Sequence, residues 1–278
     1  MLPDLLIEPL VRAALTEDLG PMGDATVAAV IPDGLRYNAV LRARQAGVAS
    51  GLRLAATAFR LIDPQLQLTP FVRDGGTFAP GEPLLQIAGA AASILMAERV
   101  ALNFAGRMCG IATLTAAYVA QTAGTKARIT CTRKTTPGLR AVEKEAVRHG
   151  GGSNHRFGLS DAILIKDNHI AAAGGIGPVL QGAAARRSHL MRIEIEVDTL
   201  DQLADVLALG LADVVLLDNM TTPQLAEAVR MTDGRLVLEA SGNMTLPRIA
   251  EVAATGVDYI SVGALTHSAP VVDLGLDF

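Results

Sequence analysis

The sequence predicts a two-domain α/β protein, a small mixed domain followed by a parallel α/β barrel, and three observations carry that expectation. The first hundred or so residues mix helical and strand patterns without a fixed alternation. From there on, short aliphatic runs alternate with helical stretches of roughly ten to fifteen residues, the mark of βα units. Polar residues then collect directly after the strand candidates, where a parallel barrel gathers its strand ends. A chain of 278 residues also exceeds the usual size of a single core.

The elements follow in order. Leu5 to Leu19 has helical spacing and stops at Gly20. Asn38 to Arg44, Gln67 to Val72 and Pro83 to Ile87 read as short strands, with turn chemistry at Asp74-Gly75-Gly76 and Pro80-Gly81. Ser93 to Met108 reads as an amphipathic junction helix with Ile94, Ala97, Ala101, Phe104 and Met108 on one line and Arg99, Asn103 and Arg107 on another face. The barrel strands are expected at Arg128 to Thr132, Ala162 to Lys166, Met191 to Val197, Asp213 to Leu217, Arg235 to Glu239 and Tyr259 to Val262. Helix signals separate them: Thr199 as N-cap with Gly210 past the end, Thr222-Pro223 as N-cap and first turn, and Thr245 with Gly256. No Gly-x-Gly-x-x-Gly opens any helix, which disfavours an open dinucleotide-binding sheet.

Composition narrows the function classes. Half the residues are apolar, but the apolarity is spread among charges, and the longest uncharged stretches, Met108 to Thr125 and Asn168 to Ala185, are too polar to span a bilayer. The beginning Met1-Leu2-Pro3-Asp4 lacks secretory features, so a cytoplasmic location is expected. Cys109 and Cys131 form no ligand or disulfide pattern and read as reduced core residues. A net charge of −4 gives no reason to expect nucleic acid or an acidic membrane as partner.

The local balance differs from the global one. Between Arg133 and Lys166 stand seven basic residues against three acidic ones. Arg133, Lys134, His155, Arg156 and Lys166 fall at strand ends opposite Glu196 and Asp218. Guanidinium forks bind carboxylate and phosphate bidentately and lysine adds a movable charge, so the set suits a substrate with several anionic groups. The two acids suit a Mg²⁺ ion chelated by pyrophosphate, or positive charge developing on a sugar. Arg140, Lys144 and Arg148, four apart and interleaved with Glu143 and Glu145, are expected on a solvated, salt-bridged helix face. Gly150-Gly151-Gly152-Ser153-Asn154 is either a backbone anion nest or a turn. Ser241-Gly242-Asn243 and Gly263-Ala264 follow strands near helix starts, where free N–H groups favour phosphate. His149 and His155 lack a zinc spacing, and His267 stands close to the last rim position.

These residues carry a resemblance. Thr132-Arg133-Lys134-Thr135-Thr136-Pro137-Gly138-Leu139-Arg140 resembles the signature of quinolinate phosphoribosyltransferases. Gly150 to Arg156, Leu164-Ile165-Lys166-Asp167-Asn168-His169, Glu194 to Val197, Leu217-Asp218-Asn219, Leu238 to Gly242 and Gly263 to Ser268 continue it in order. Glu17-Asp18-Leu19-Gly20, Gly23-Asp24 and Ala97 to Asn103 are similar upstream. The resemblance implies an N-terminal α/β sandwich over residues 1–107, an open α/β barrel over 108–266, and a segment 267–278 returning to the first domain. It implies a homodimer with shared sites, and decarboxylating transfer of phosphoribose from phosphoribosyl pyrophosphate to quinolinate with Mg²⁺. By the same resemblance Arg133, Lys134, His155, Arg156 and Lys166 cradle the anions and Arg99 reaches quinolinate across the dimer. Glu196 and Asp218 hold the ribose and Mg²⁺-pyrophosphate side. Ser241, Gly242, Gly263 and Ala264 bind the 5′-phosphate, and His267 is a weaker transfer. Lys134, Lys166, Glu196 and Asp218 are the expected catalytic set, with Lys134 guiding decarboxylation. Asn243-Met244 departs from the glycine and isoleucine common there.

Three rivals stand beside this reading. A paralogue of the same fold tied to molybdenum transport shares the architecture, but the unbroken Thr132 to Arg140 and Lys166 to His169 runs favour the transferase. A Schiff-base aldolase would use Lys166 at its strand end. A phosphate-binding module without catalysis would be stabilised by phosphoribosyl pyrophosphate yet release no carbon dioxide.

Overall fold

The computed structural model describes residues 1–278. The chain runs α1 (Asp4–Leu19), α2 (Ala25–Val30), β1 (Arg36–Ala43), β2 (Gly47–Val48), α3 (Leu52–Ile62), β3 (Gln67–Pro70), β4 (Thr77–Phe78), β5 (Pro83–Ala90) and α4 (Ala91–Ala120). It continues β6 (Arg128–Thr130), α5 (Arg140–His149), β7 (Ile163–Ile165), α6 (Asp167–Ala173), α7 (Ile176–Arg186), β8 (Ile193–Val197), α8 (Leu200–Leu209) and β9 (Val214–Asp218). Last come α9 (Thr222–Thr232), β10 (Val237–Ser241), α10 (Ile249–Ala254), β11 (Tyr259–Ser261), α11 (Ala264–His267) and β12 (Leu274–Asp277). Two compact units result. One comprises Met1–Ala116, Thr135–Gly151 and Ala264–Phe278, the other Ala117–Lys134 and Gly152–Gly263.

The first unit holds a four-stranded antiparallel sheet in the order β12-β1-β5-β3. Its inner faces read directly from alternation: Ala39, Leu41 and Ala43 of β1 are buried while their neighbours are not. Ile7, Val11 and Leu15 recur every fourth residue on α1 and are buried, as are Ala55, Ala58 and Phe59 on α3. The C-terminal strand β12 pairs with β1, Leu41 opposite Leu276. Cys109 is buried here and donates to the Ser50 carbonyl at 3.2 Å, and burial pushes its thiol up to about 12, which leaves it inert at neutral pH.

Helix α4 is twelve residues longer at its C-terminal end than the pattern to Met108 predicts. Gly106 and Gly110 serve close packing. A Cβ on Gly110 would lie 1.9 Å from the Pro270 carbonyl oxygen, and one on Gly106 would lie 2.9 Å from that of Val272. The glycines admit the C-terminal segment against the helix, so the helix runs through. It is long and apolar enough to cross a bilayer by composition, yet most of that stretch is buried inside the protein, including Ile94, Ala97, Ala101, Met108 and Ile111.

Helix α5 corrects a second expectation. Glu143 and Lys144 are fully or nearly fully buried rather than solvated. Glu143 accepts from Arg107 Nε at 3.0 Å and from the Thr136 backbone N–H at 3.1 Å, while Arg107 Nη2 also donates to the Thr266 carbonyl at 3.0 Å. One ion pair thus ties α4, the Thr136 loop, α5 and α11 within the first unit. Sequence spacing placed the charges on one helix face but carried no sign of the distant Arg107. Removing one member of a buried pair strands the other, so Glu143→Ala is expected to lose about 3–5 kcal/mol of stability in denaturant unfolding. At the end of the same helix a Cβ on Gly150 would meet the Ala112 carbonyl oxygen at 2.3 Å, so this glycine serves helix packing.

The second unit is a six-stranded parallel sheet in the order β6-β11-β10-β9-β8-β7. All six predicted strands form. Consecutive strands β7 to β11 are neighbours and β6 closes on β11, leaving β6 and β7 unpaired with each other, so the barrel is open. Ser153 makes a parallel bridge to Thr130, laying the segment after Gly152 along the free side of β6. Strands β9 and β10 end one and two residues later than expected, so Asp218 and Ser241 are their last residues. Helix α8 begins with Thr199 accepting from Gln202 N–H and ends at Gly210 in the left-handed conformation, as predicted. Helix α9 is capped one residue earlier, by Thr221, whose partner in the box is Gln224.

Candidate active site

The parallel sheet of the second unit brings its strand ends to one side, and register fixes which side chains share a face. Glu194 and Glu196 alternate with Ile193, Ile195 and Val197 on β8, so both acids point the same way. Glu196 is in register with Leu216 of β9 and Leu216 with Glu239 of β10, while Asp218 is in register with Ser241. Glu194, Glu196, Asp218, Glu239 and Ser241 therefore line one face, across three adjacent strands.

The cations meet that face in two groups. Lys166, just past β7, donates Nζ to Glu196 Oε2 at 2.5 Å. The adjoining turn is braced by His169, whose Nδ1 accepts the Lys166 backbone N–H at 2.9 Å. Arg133, Arg156 and His155 form the other group. Burial presses the Arg156 guanidinium below its ordinary value and the neighbouring Arg133 adds to this, while Glu194 and Asp161 hold it up. Arg156 Nη1 donates to the Ala162 carbonyl at 3.0 Å, but Arg156 Nε and Arg133 Nε are both buried with no hydrogen-bond partner. Two mutually repelling guanidinium groups, each with an unsatisfied donor, concentrate positive charge that a nearby anion would relieve. Lys134 is exposed next to them and its backbone N–H donates to Thr132 Oγ1 at 3.0 Å.

His155 was expected to contact an anion, and the structure turns it inward. Its Nε2 lies 3.0 Å from Glu194 Oε2 and 3.7 Å from Glu239 Oε2. Burial pushes the Glu239 carboxyl up to about 7, Glu194 adds to this, and His155 and the Ser261 hydroxyl oppose it. The sign of the linkage follows. Below the ordinary value of 4.5 the group is protonated in both states, and between there and about 7 only the unfolded chain releases the proton, so stability falls as pH rises through that window. Glu239→Gln removes the loss, and its melting point is expected to gain on wild type between about pH 4.5 and pH 7 and to hold a constant lead above that. Calorimetry across the range checks it, and a pH-independent difference would contradict it.

The remaining site residues lie around two turns. Asp218 accepts from Asn219 Nδ2 at 2.6 Å, Asn219 N–H donates to the Ser241 carbonyl at 3.0 Å, and Asn243 Nδ2 donates to Asn219 Oδ1 at 3.2 Å. Gly242 has φ 88°, and a Cβ there would sit 2.2 Å from Asn219 Oδ1, so only glycine fits. Arg248 clamps both turns from behind, donating to the Met220 carbonyl at 2.7 Å and the Gly242 carbonyl at 3.3 Å. Asn243 takes a left-handed φ of 50°, which asparagine tolerates, so the departure from glycine leaves the turn intact. Gly263 follows β11 in the same unit.

Arg99, exposed on α4, Ala264 at the start of α11, and His267, exposed with Nδ1 2.6 Å from Ser268 Oγ, belong to the first unit. That unit also contains a cavity of about 490 Å³ lined by Leu52, Arg53, Arg60 and Asp74 among others, with none of the expected site residues. Glu194, Glu239, Asn219 and Arg248 were not singled out from sequence as site residues. The acids had a legible signal, glutamate alternating with or set among aliphatic residues in a buried strand, whereas Arg248 had none because its role depends on two turns distant in sequence.

An open parallel barrel with convergent cations over carboxylates is the site of an enzyme that handles a multiply anionic substrate. The description "Quinolinate phosphoribosyl transferase, N-terminal domain" matches residues 24–109 and its C-terminal counterpart matches residues 111–277. The chain is 44% identical over 275 residues to nicotinate-nucleotide pyrophosphorylase (carboxylating) of Mycobacterium leprae, covering 96% of this chain and 95% of that protein. It is 40% identical over 291 residues to a mitochondrial quinolinate phosphoribosyltransferase (decarboxylating) of Nicotiana glauca, covering 99% and 82%. The structure of NadC from Streptococcus pyogenes superposes with a TM-score of 0.96 at 38% identity, covering all of this chain and 98% of that one. That of the nicotinate-nucleotide pyrophosphorylase from Francisella tularensis gives 0.95 at 37%, covering 100% and 97%. The chain belongs to the quinolinate phosphoribosyl transferase family.

Proposed function

We propose that the protein transfers phosphoribose from phosphoribosyl pyrophosphate to quinolinate and releases pyrophosphate and carbon dioxide, giving nicotinate mononucleotide for NAD synthesis. The observation that supports this is the pairing of Arg133 and Arg156, neighbouring guanidinium groups that repel each other, whose buried Nε atoms lack hydrogen-bond partners and whose charge Glu194 supports. They suit a rigid dicarboxylate. The pyridine nitrogen attacks the anomeric carbon as the carbon–oxygen bond to pyrophosphate breaks, and the quaternised ring then accepts the electron pair left by the departing carboxylate, whose place a proton takes. Positioning and electrostatics dominate such a step. Lys134, exposed beside the guanidinium pair, is the group assigned to the departing carboxylate. The Ser241-Gly242 turn and Gly263-Ala264 are assigned to the 5′-phosphate.

Glu196 and Asp218 are carboxylates on neighbouring strands of one face, a hard-oxygen pair of the kind that holds Mg²⁺ together with a pyrophosphate. Mg²⁺ there would neutralise charge on the leaving group. Lys166 bonded to Glu196 is a salt-bridged ammonium, a poor nucleophile for imine formation, which weighs against the aldolase reading. Arg99 is assigned to a neighbouring site in a homodimer, and the buried thiols of Cys109 and Cys131 suit a reducing compartment such as the cytoplasm.

The test is incubation with quinolinate, phosphoribosyl pyrophosphate and Mg²⁺, with nicotinate as control substrate. Nucleotide and carbon dioxide in equal amounts from quinolinate, with little product from nicotinate, is the expected result. Equal use of nicotinate, or ligand-induced stabilisation without carbon dioxide, would reject the proposal.

A further inference from the structure

His155 is held between two buried acids that the transfer reaction leaves without a task. Its Nδ1 accepts the backbone N–H of Arg156 at 2.8 Å, and a ring nitrogen that accepts carries no proton. The ring proton is therefore on Nε2, which faces Glu194 Oε2 at 3.0 Å and Glu239 Oε2 at 3.7 Å. The acids come from β8 and β10, on either side of β9, and close on the ring from two directions. Each keeps its Oε1 buried without a partner, an arrangement that costs stability where two aliphatic side chains would not. The ring orientation has a consequence for the neighbouring residue. A flipped ring would present C–H to Glu194 and leave the Arg156 N–H without its acceptor, loosening the residue whose guanidinium faces that of Arg133.

We propose that Glu194 and Glu239 are positioning residues that lock His155 in the Nε2–H tautomer, and that the locked ring anchors the Arg156 backbone so that its guanidinium is aimed at the substrate carboxylate. The chain of contacts runs from Glu194 Oε2 through His155 to Arg156 N–H, with Arg156 Nη1 on the Ala162 carbonyl as the second anchor. Glu194 acts twice, since its charge also supports that of Arg156. Glu239 flanks the ring and bars the turn that would release it. The inference deepens the quinolinate reading and rests on it for the identity of the carboxylate, but not for the tautomer.

The test combines a substrate-free readout with kinetics. Protein labelled with ¹⁵N at its five histidines gives separate ring signals, and that of His155 is identified by its loss in His155→Asn. Wild type is expected in the Nε2–H form and Glu194→Met in a mixture of tautomers. Loss of a hydrogen bond to a charged acceptor predicts a quinolinate KM raised roughly ten- to a hundredfold in Glu194→Met, with the phosphoribosyl pyrophosphate KM changed less than about twofold. Glu194→Gln, whose amide oxygen still accepts, restores most of the loss, and Glu194→Met adds little on top of His155→Asn. An Nδ1–H or doubly protonated ring in wild type, an unmoved tautomer in Glu194→Met, equal rises in both KM values, or uptake of one Zn²⁺ by the triad with loss of the ring proton each overturns the proposal. Should Glu194→Met not fold, the wild-type spectrum and Glu194→Gln still decide. A wild type inert toward quinolinate sinks the proposed reaction and leaves the tautomer to judge this inference separately.

Discussion

Arg156→Ala is expected to lower kcat/KM for quinolinate by roughly two to three orders of magnitude, the equivalent of losing one charge-assisted, bidentate anion contact. The reason lies in the resting geometry. The side chain is already anchored on the Ala162 carbonyl, so binding an anion requires little ordering. Stability is expected to change little, because the substitution deletes a repulsion with Arg133 together with an attraction to Glu194. Arg156→Lys recovers only part of the activity, since a point charge cannot reproduce the fork. Steady-state kinetics with each substrate varied separately checks the assignment. A loss that falls on phosphoribosyl pyrophosphate instead would place the pyridine dicarboxylate elsewhere.

What sequence could and could not show divides along physical lines. Local rules were legible: strand runs of β-branched residues, the Thr199 to Gly210 helix with both caps, and the collection of Arg133, Lys166, Glu196 and Asp218 near strand ends all follow from short-range patterns. Features that depend on what arrives from far along the chain were not. The helix expected to end at Met108 runs on to Ala120, and the segment Pro270 to Val272 that packs on its Gly106 and Gly110 is more than a hundred residues away. Glu143 looked solvated because its partner Arg107 lies on another helix. His155 looked like a substrate contact because Glu194 and Glu239, which claim its Nε2, come from two later strands. In each case composition gave the residue's chemistry, and the tertiary neighbour decided its use.

The second large effect is expected at the opposite side of the site. Asp218 ends β9 in register with Ser241 of β10, and one of its oxygens, Oδ2, accepts from Asn219 Nδ2. Glu196 stands on the same face of β8 but is paired with Lys166. The two acids should therefore respond differently. In the proposed reaction Asp218→Ala removes negative charge from the side assigned to the ribose and the leaving pyrophosphate, and a lost electrostatic contact of this kind costs about 10²–10³ in kcat. Glu196→Gln also frees an ammonium in the pocket, so its phenotype should include tighter binding of inorganic pyrophosphate as an inhibitor, which Asp218→Ala should not show. If the acids hold Mg²⁺, both substitutions raise the Mg²⁺ concentration needed for half-maximal rate, and excess Mg²⁺ restores part of the Glu196→Gln activity. Titrating Mg²⁺ at saturating phosphoribosyl pyrophosphate separates the two roles. An unchanged Mg²⁺ requirement in both variants would assign the carboxylates to the sugar alone, because charge facing the ribose acts in the transition state without holding the ion.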